Sequence, residues 1–244
     1  MSKKRKVKGV LLAGGEGTRL RPLTLGVNKH LLRVGKFPMI QYPLTRMMEA
    51  GIKDIHVVTG GENYQGVVKY LGSGKKFGVR ISYSIQDEAG GIAQALALAE
   101  PFIHDEKMVV ILGDNVFDMD LKEEVKDFEN DTHNCRAVLF TQTSDTPHRF
   151  GVIKYKDGEV CDILEKPKVA PSKEIVTGIY MYTPEVFQVI RTLKPSKRGE
   201  YEITDVNRIY IQTKLLKIVK MRGNWTDCGT FETLMKAEMQ VGEG

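Results

Sequence analysis

An α/β fold, built on a mostly parallel but mixed sheet with helices on both faces, is predicted for this chain of 244 residues. Three observations predict it. Short β-type apolar runs alternate with helical ones through the first half, which calls for successive βαβ units and a parallel sheet covered on both sides. The first of those runs breaks directly into a glycine-rich turn. The second half is richer in strand-like runs joined by turns, which makes the sheet mixed.

Taken in order, Lys8–Leu12 reads as a strand and Met39–Ala50 as a helix closed by Gly51. Asp54–Thr59 is a strand, Tyr64–Leu71 a helix closed by Gly72, and Val79–Ile85 a strand. Ile92–Ala99 is a helix stopped before Pro101, and Met108–Leu112 a strand. Beyond these, Arg136–Thr143, Gly151–Tyr155, Glu159–Ile163 and Ile175–Tyr182 read as strands joined by turns such as Lys156-Asp157-Gly158. Helices are expected at Glu185–Leu193, Thr204–Gln212 and Phe231–Val241. The pattern is a Rossmann-like first half joined to a strand-rich second half. With no linker, repeat or low-complexity stretch between them, the chain reads as one unit.

Composition bounds the function classes. An apolar fraction of 41% fills a sizeable core at this length. No apolar run approaches the ~18 residues of a membrane span, and no apolar region ending in a cleavage site follows the basic start. Cys135, Cys161 and Cys228 are odd in number and widely spaced. They fit a reducing, cytoplasmic setting rather than a disulfide framework. The net charge of +5 sits entirely in residues 1–8, where Lys3, Lys4, Arg5, Lys6 and Lys8 meet no acid. Nucleic-acid binding would need that charge to extend over the folded surface, so these residues read as a solvated tail.

Residues 11–22, LLAGGEGTRLRP, carry the sharpest signal. A strand ending in Gly14, Gly15 and Gly17 bares backbone N–H groups against which a polyphosphate can lie. From Gly17 to Met48 there is no Asp or Glu, while Arg19, Arg21, Lys29, His30, Arg33, Lys36 and Arg46 all fall there. A dinucleotide site would need a third glycine where Leu20 stands and an acid about 20 positions on. A P-loop would need Gly-Lys-Ser/Thr. Both fail, which leaves a phosphate site of another kind.

The strand Met108–Leu112 runs into Gly113-Asp114-Asn115, and ligands of open α/β sheets bind at the carboxyl ends of strands. Asp114 therefore belongs at the edge that carries the glycine loop. Mg²⁺ takes a few carboxylates together with phosphate oxygens. Asp227, set between Trp225 and Gly229, is the preferred second carboxylate, with a helix cap ahead of residues 231–241 as the competing role. Gln86, just past a strand and followed by Gly90-Gly91, carries an amide that could read a pyrimidine edge. The Asp118-Met119-Asp120 triplet spells a glycosyltransferase-type metal motif, but past a strand end that Asp114 already occupies. The five histidines show no metal-type spacing and read as surface residues or supports for the site.

Gly14-Gly15-Glu16-Gly17-Thr18-Arg19-Leu20-Arg21-Pro22-Leu23-Thr24 resembles the signature loop of sugar-phosphate nucleotidyltransferases. Asn28–Leu32, Ile85–Asp87, Gly90–Ala95, Leu112–Asn115, Arg149–Val152, Glu165–Pro167, Val176–Gly178, Arg198–Asp205 and Trp225–Asp227 continue the resemblance in order. It implies attack by a sugar 1-phosphate on the α-phosphate of a nucleoside triphosphate. The nucleophile arrives ionised, so catalysis becomes positioning plus charge stabilisation. The spacing is nearest to members that join dTTP to glucose 1-phosphate, with UTP the alternative. A non-catalytic nucleotide-sugar sensor would have no need of the metal and leaving-group residues.

By the same resemblance Arg19, Lys29 and Lys166 are catalytic. Leu12, Ala13, Gly14, Gly15, Gly17, Thr18, Arg19, Lys29, Gln86, Gly91 and Asp114 surround the nucleotide. Asn115, Gly151, Glu165, Lys166, Val176 and Gly178 surround the sugar, and Asp114 with Asp227 binds Mg²⁺. Residues from about 9 to 130 would form the nucleotide-binding half and about 131 to 244 the sugar-binding half. A homotetramer is implied. Phe150 stands where relatives often carry Tyr, and His148 where they often carry Glu; both bear on the sugar.

Overall fold

The computed structural model describes residues 6–61, 63–130 and 135–242. In chain order the first half gives β1 (Val7–Ala13), the short pair β2 (Arg33–Val34) and β3 (Phe37–Pro38), α1 (Gln41–Glu49), β4 (Asp54–Gly60), α2 (Tyr64–Leu71) and β5 (Arg80–Gln86). Then follow α3 (Ile92–Ala97), α4 (Glu100–Ile103), β6 (Lys107–Leu112), β7 (Asn115–Phe117) and α5 (Lys122–Asn130). The second half gives β8 (Ala137–Thr143), β9 (Gly151–Lys156), β10 (Glu159–Glu165), β11 (Glu174–Tyr182), α6 (Val186–Thr192), α7 (Ile203–Gln212), β12 (Leu216–Lys220), β13 (Trp225–Asp227) and α8 (Phe231–Gly242).

The main sheet runs β10-β9-β11-β6-β1-β4-β5, with β8 pairing β11 and β12 pairing β8. β1 lies parallel between β4 and β6, and β5 continues parallel to β4. β11 then runs antiparallel to β6, so the sheet is mixed. Alternate residues of β1 face opposite cores. Leu11 and Ala13 join Val57, Val109 and Ile111 against Leu44 and Met47 of α1 and Val67 of α2. Val10 and Leu12 join Val58 and Val110 against Leu96 of α3, Phe187 of α6 and Val206 of α7. Burial on both faces explains why these strands read as continuous apolar runs rather than alternating ones.

Several boundaries shift for physical reasons. The predicted tail gives way to strand at Val7, and Lys8 sits in β1 with its Nζ donating to the Phe102 carbonyl at 2.6 Å. Lys3, Lys4 and Arg5 lie outside the described residues. Pro101 does not stop a helix so much as start one, since it occupies the first turn of α4, where its missing N–H is harmless. The strands β7, β12 and β13 and the helix α5 are additions to the sequence reading. The Asp118–Asp120 pair is absorbed by structure. Asp118 accepts from the Asn224 backbone N–H at 2.8 Å and side chain at 3.1 Å, while Asp120 accepts from the Lys122 N–H at the start of α5. Among the described residues no helix is long and apolar enough to cross a membrane.

Candidate active site

β1 delivers the glycine loop to the carboxyl edge of the sheet. Leu12 and Ala13 are buried, so they offer the site backbone only. Gly17 adopts φ 67°, a left-handed conformation that glycine takes without strain, and heads a short 3-10 turn over Thr18–Leu20. Buried Leu20 anchors that turn. A Cβ on Gly17 would lie 2.7 Å from the Cβ of Lys29, and one on Gly15 would lie 3.1 Å from its Cε. The stem of Lys29 thus packs along the loop, and its Nζ emerges 2.5 Å from Asp114 Oδ2.

Lys29 is placed by the turn that it opens. Asn28 Oδ1 accepts from the His30 backbone N–H at 3.0 Å and lies 2.8 Å from His30 Nδ1, which must therefore donate. His30 is fully enclosed. Burial first, and then the Lys29 charge, lowers its pKa to about 3, so the ring is neutral. His30 supports the site, as the sequence reading has it. His56 departs from the surface reading: it is buried between Ser82 and Ser84, at 2.8 and 2.9 Å, and stacks on Phe102.

The two carboxylates meet through a two-stranded ribbon. β7 follows Asp114 directly and pairs antiparallel with β13, which sets Asp227 opposite Asn115. The Cys228 N–H donates to the Asp114 carbonyl at 2.8 Å, closing the ribbon at that end. Burial works against ionisation of Asp114. The Lys29 charge and hydrogen bonds from Lys29 and Asn115 outweigh it and hold the carboxyl well below the usual range. Asp227 goes the other way, pushed up to about 6 by burial and by the like charge of Asp114. Arg149, 3.8 Å away, Lys29 and Arg19 pull it back. The Arg19 guanidinium rests where a Cβ on Gly229 would lie 3.0 Å from its Nη2 and 3.1 Å from Asp227 Oδ2.

This donor set fits a small hard cation. Two half-buried carboxylates, one of which raises the other's cost of ionisation, gain from a divalent charge near them. Among the described residues no group of three His, Cys, Asp or Glu could hold a metal. Oxygen ligands beyond the pair would have to come from phosphates and water, which is how Mg²⁺ is usually held.

Beyond the carboxylates a cavity opens toward the second half. Asp114, Asn115, Gly151, Glu165, Lys166, Val176, Gly178 and Asp227 all line it. Its floor is an irregularity in β11: pairing with β8 breaks between Val176 and Tyr180, which frees the Gly178 N–H. Asn115 Oδ1 takes that N–H at 3.0 Å and the Trp225 Nε1–H at 2.7 Å, while its Nδ2 donates to Asp114 Oδ1 at 3.0 Å. The Asn115 amide is thus engaged by the protein on both ends. Glu165 Oε2 accepts from Thr204 Oγ1 at 2.5 Å, leaving Oε1 near Lys166 Nζ at 3.6 Å and Arg198 Nη2 at 3.9 Å. Lys166 itself sits at φ 41°, an uncommon conformation for a side chain-bearing residue.

Gln86 closes β5 beside the loop, apart from the cavity, with its amide against Gln94 and Gly91. The room that Gly91 leaves is filled by backbone, since a Cβ there would lie 2.6 Å from the Tyr201 carbonyl. Arg149, Arg198, Thr204 and Trp225 also line the cavity and were absent from the predicted site set. All four fall within segments that carry the family resemblance, but nothing local distinguishes an enclosed arginine from a solvated one. Arg149 Nη2 is enclosed without a hydrogen-bond partner in the protein.

The glycine loop, Lys29, Arg19 and two carboxylates lie beside this cavity, and the chain belongs to the nucleotidyl transferase family, whose pattern covers residues 8–244. It is 41% identical over 235 residues to the glucose-1-phosphate thymidylyltransferase of Neisseria meningitidis, covering 95% of this chain and 81% of that one. It is 40% identical over the same shares to the glucose-1-phosphate thymidylyltransferase of Mycolicibacterium smegmatis. A Bacillus anthracis crystal structure assigned as a glucose-1-phosphate thymidylyltransferase, holding a sucrose, superposes with TM-score 0.90 at 47% identity, covering 96% and 94% of the two chains. A UDP-glucose pyrophosphorylase complexed with UDP-glucose superposes at 0.85 with 27% identity, covering 98% and 99%. The protein is an enzyme of nucleotidyl transfer to a sugar 1-phosphate, drawing on a nucleoside triphosphate. Enzymes of this family generally use a divalent metal.

Proposed function

We propose that the enzyme transfers a thymidylyl group from dTTP to glucose 1-phosphate, giving dTDP-glucose and pyrophosphate, with Mg²⁺ as its metal. The observation that carries the reading is the meeting of Lys29, Asp114, Asp227 and Arg19 between the glycine loop and the Glu165–Lys166 cavity. In this reading Gly14, Gly15, Gly17 and Thr18 receive the triphosphate. Arg19 holds the oxygens that leave as pyrophosphate, bidentately and at any working pH. Lys29 faces the charge that develops at the α-phosphate. Lys166 takes the phosphate of the incoming sugar, and Glu165, with Gly151, Val176 and Gly178 around it, receives the sugar hydroxyls. Gln86, beside Gly91, meets the base. Asn115, which also positions Asp114 and Gly178, faces the sugar from the wall of the same cavity.

Asp114 and Asp227 would hold Mg²⁺, which supplies charge neutralisation across the reacting phosphates. The sugar phosphate is already an anion, so no side chain need take its proton, and attack in line with the departing pyrophosphate needs only orientation and charge. UTP in place of dTTP is the alternative, supported by the likeness to UDP-glucose pyrophosphorylase. The cytoplasm is the proposed setting, in keeping with cysteines that form no disulfide. A homo-oligomer remains the proposed assembly.

Pyrophosphate release tests the reading. With Mg²⁺, purified protein is offered dTTP, UTP, ATP, CTP and GTP against glucose, N-acetylglucosamine and mannose 1-phosphates. Release that needs both dTTP or UTP and glucose 1-phosphate is the expected result. Silence from folded protein that binds nucleotide overturns it.

A further inference from the structure

Gln86 is held by partners whose roles are not interchangeable. Its Nε2 donates to Gln94 Oε1 at 2.7 Å and lies 3.3 Å from the Gly91 carbonyl, a group that can only accept. Gln94 Oε1 also takes the Gly90 backbone N–H at 3.1 Å, a group that can only donate. Two backbone groups thus fix which end of each amide is oxygen, so the orientation follows from chemistry. The Gln86 oxygen is left facing the glycine loop: a Cβ on Gly14 would lie 2.5 Å from it. Among the described residues no protein donor is hydrogen-bonded to that oxygen.

The relay is built into the fold. Gln94 sits in the first turn of α3, and a Cβ on Gly90 would collide with its amide, so glycine is what lets the side chain fold back. The Tyr201 N–H donates to the Gly90 carbonyl, and the Ala93 N–H donates to the Tyr201 carbonyl. That clamps the start of α3 from the second half of the chain.

We propose that Gln94 is a positioning residue that holds the Gln86 amide with its oxygen toward the cleft, and so selects a base with a ring N–H on its pairing edge, uracil or thymine, over cytosine. The proposal rests on the reading of Gln86 as the base contact. Uracil and thymine carry a single donor at N3, in the middle of that edge. Cytosine seated the same way presents a lone pair there. If Gln86 could turn over, its NH₂ would serve cytosine equally well. The Gln94–Gly90 relay removes that freedom. Sites built to hydrogen-bond one substrate group reject analogues lacking it because the site's own polar group is then left unpaired.

The test compares kcat and KM for dTTP, UTP and CTP with glucose 1-phosphate in the wild type, Gln94→Leu, Gln94→Glu and Gly90→Ala. We expect Gln94→Leu to shrink the UTP-over-CTP ratio of kcat/KM at least ~10-fold, mainly through KM, as a lost polar discriminator should. Gln94→Glu, whose carboxylate accepts the same two N–H groups, keeps the preference. Gly90→Ala, which pushes Gln94 aside, follows the leucine variant and covers the case in which that variant does not fold. An unchanged ratio in Gln94→Leu, with activity lowered equally for every nucleotide, overturns the proposal alone. A wild type that releases no pyrophosphate with any pyrimidine triphosphate overturns the base-site reading, and this proposal with it.

Discussion

Asp114 meets Lys29 through one oxygen and Asn115 through the other, while its carbonyl receives Cys228. Replacing it with Asn keeps the size and much of the hydrogen bonding but removes the charge. We expect Asp114→Asn, and likewise Arg19→Ala, to lower kcat by ~10²-fold or more, as for loss of a preorganised charge partner. The circular dichroism spectrum should stay native. Near-normal turnover in either variant would remove that residue from the mechanism. His56 gives a residue-scale test of a different kind. Burial lowers its pKa to about 4 from the ordinary 6.5, so the unfolded chain binds a proton that the folded chain refuses. Its contribution is therefore neutral above about pH 6.5, and stability drains away as pH falls from there toward about 4. Thermal midpoints should decline more shallowly across that window in His56→Gln than in the wild type.

Among the elements, the β7–β13 ribbon and the β11 irregularity are joined by one amide. Asn115→Ala would strand the buried Gly178 N–H and the Trp225 indole N–H together. At ~1–3 kcal/mol for each buried group left unpaired, the loss should reach about 3 kcal/mol in urea unfolding. The glycine loop is a second element under constraint. Gly17→Ala would force a left-handed alanine, at a cost of roughly 1–2 kcal/mol, against the Lys29 stem. The expected outcome is a raised KM for the nucleoside triphosphate with Lys29 displaced. These elements differ in how legible they are. The glycine loop shows in the chain because its dihedral demands and charge are local: glycines after an apolar run, then bases without acids. The ribbon does not, because each of its strands is three residues long and each finds its partner far along the chain. Asp227 was reachable as an acid among aromatic and small neighbours, while the burial of Arg149 was not, since enclosure belongs to the packing around it. Pro101 misled for the same reason: it ends or begins a helix depending on which side of it folds.

Over the whole molecule the main sheet passes without interruption from β10 to β5, and both cores draw residues from both halves. The alternating apolar runs made that architecture legible, because strands buried on both faces cannot hide their composition. The turn of β11 against β6 was less so, since strand direction leaves no mark on the residues. A continuous sheet should unfold as one unit. The sole tryptophan, Trp225, reports on β13, and far-ultraviolet dichroism reports on every element. The two unfolding curves should coincide, and a tryptophan transition well ahead of the other would show the ribbon melting by itself.

The partnership of Asp227 with Asn115 also makes the proposed site a joint product of distant segments. The glycine loop, Lys29 and Asp114 come from the first half of the described residues, while Trp225 and Asp227 come from β13 in the second. A chain cut between α5 and β8 would part Asp114 from Asp227 and leave Asn115 without its Trp225 donor. The proposed site is therefore whole only when the two segments have folded onto one another.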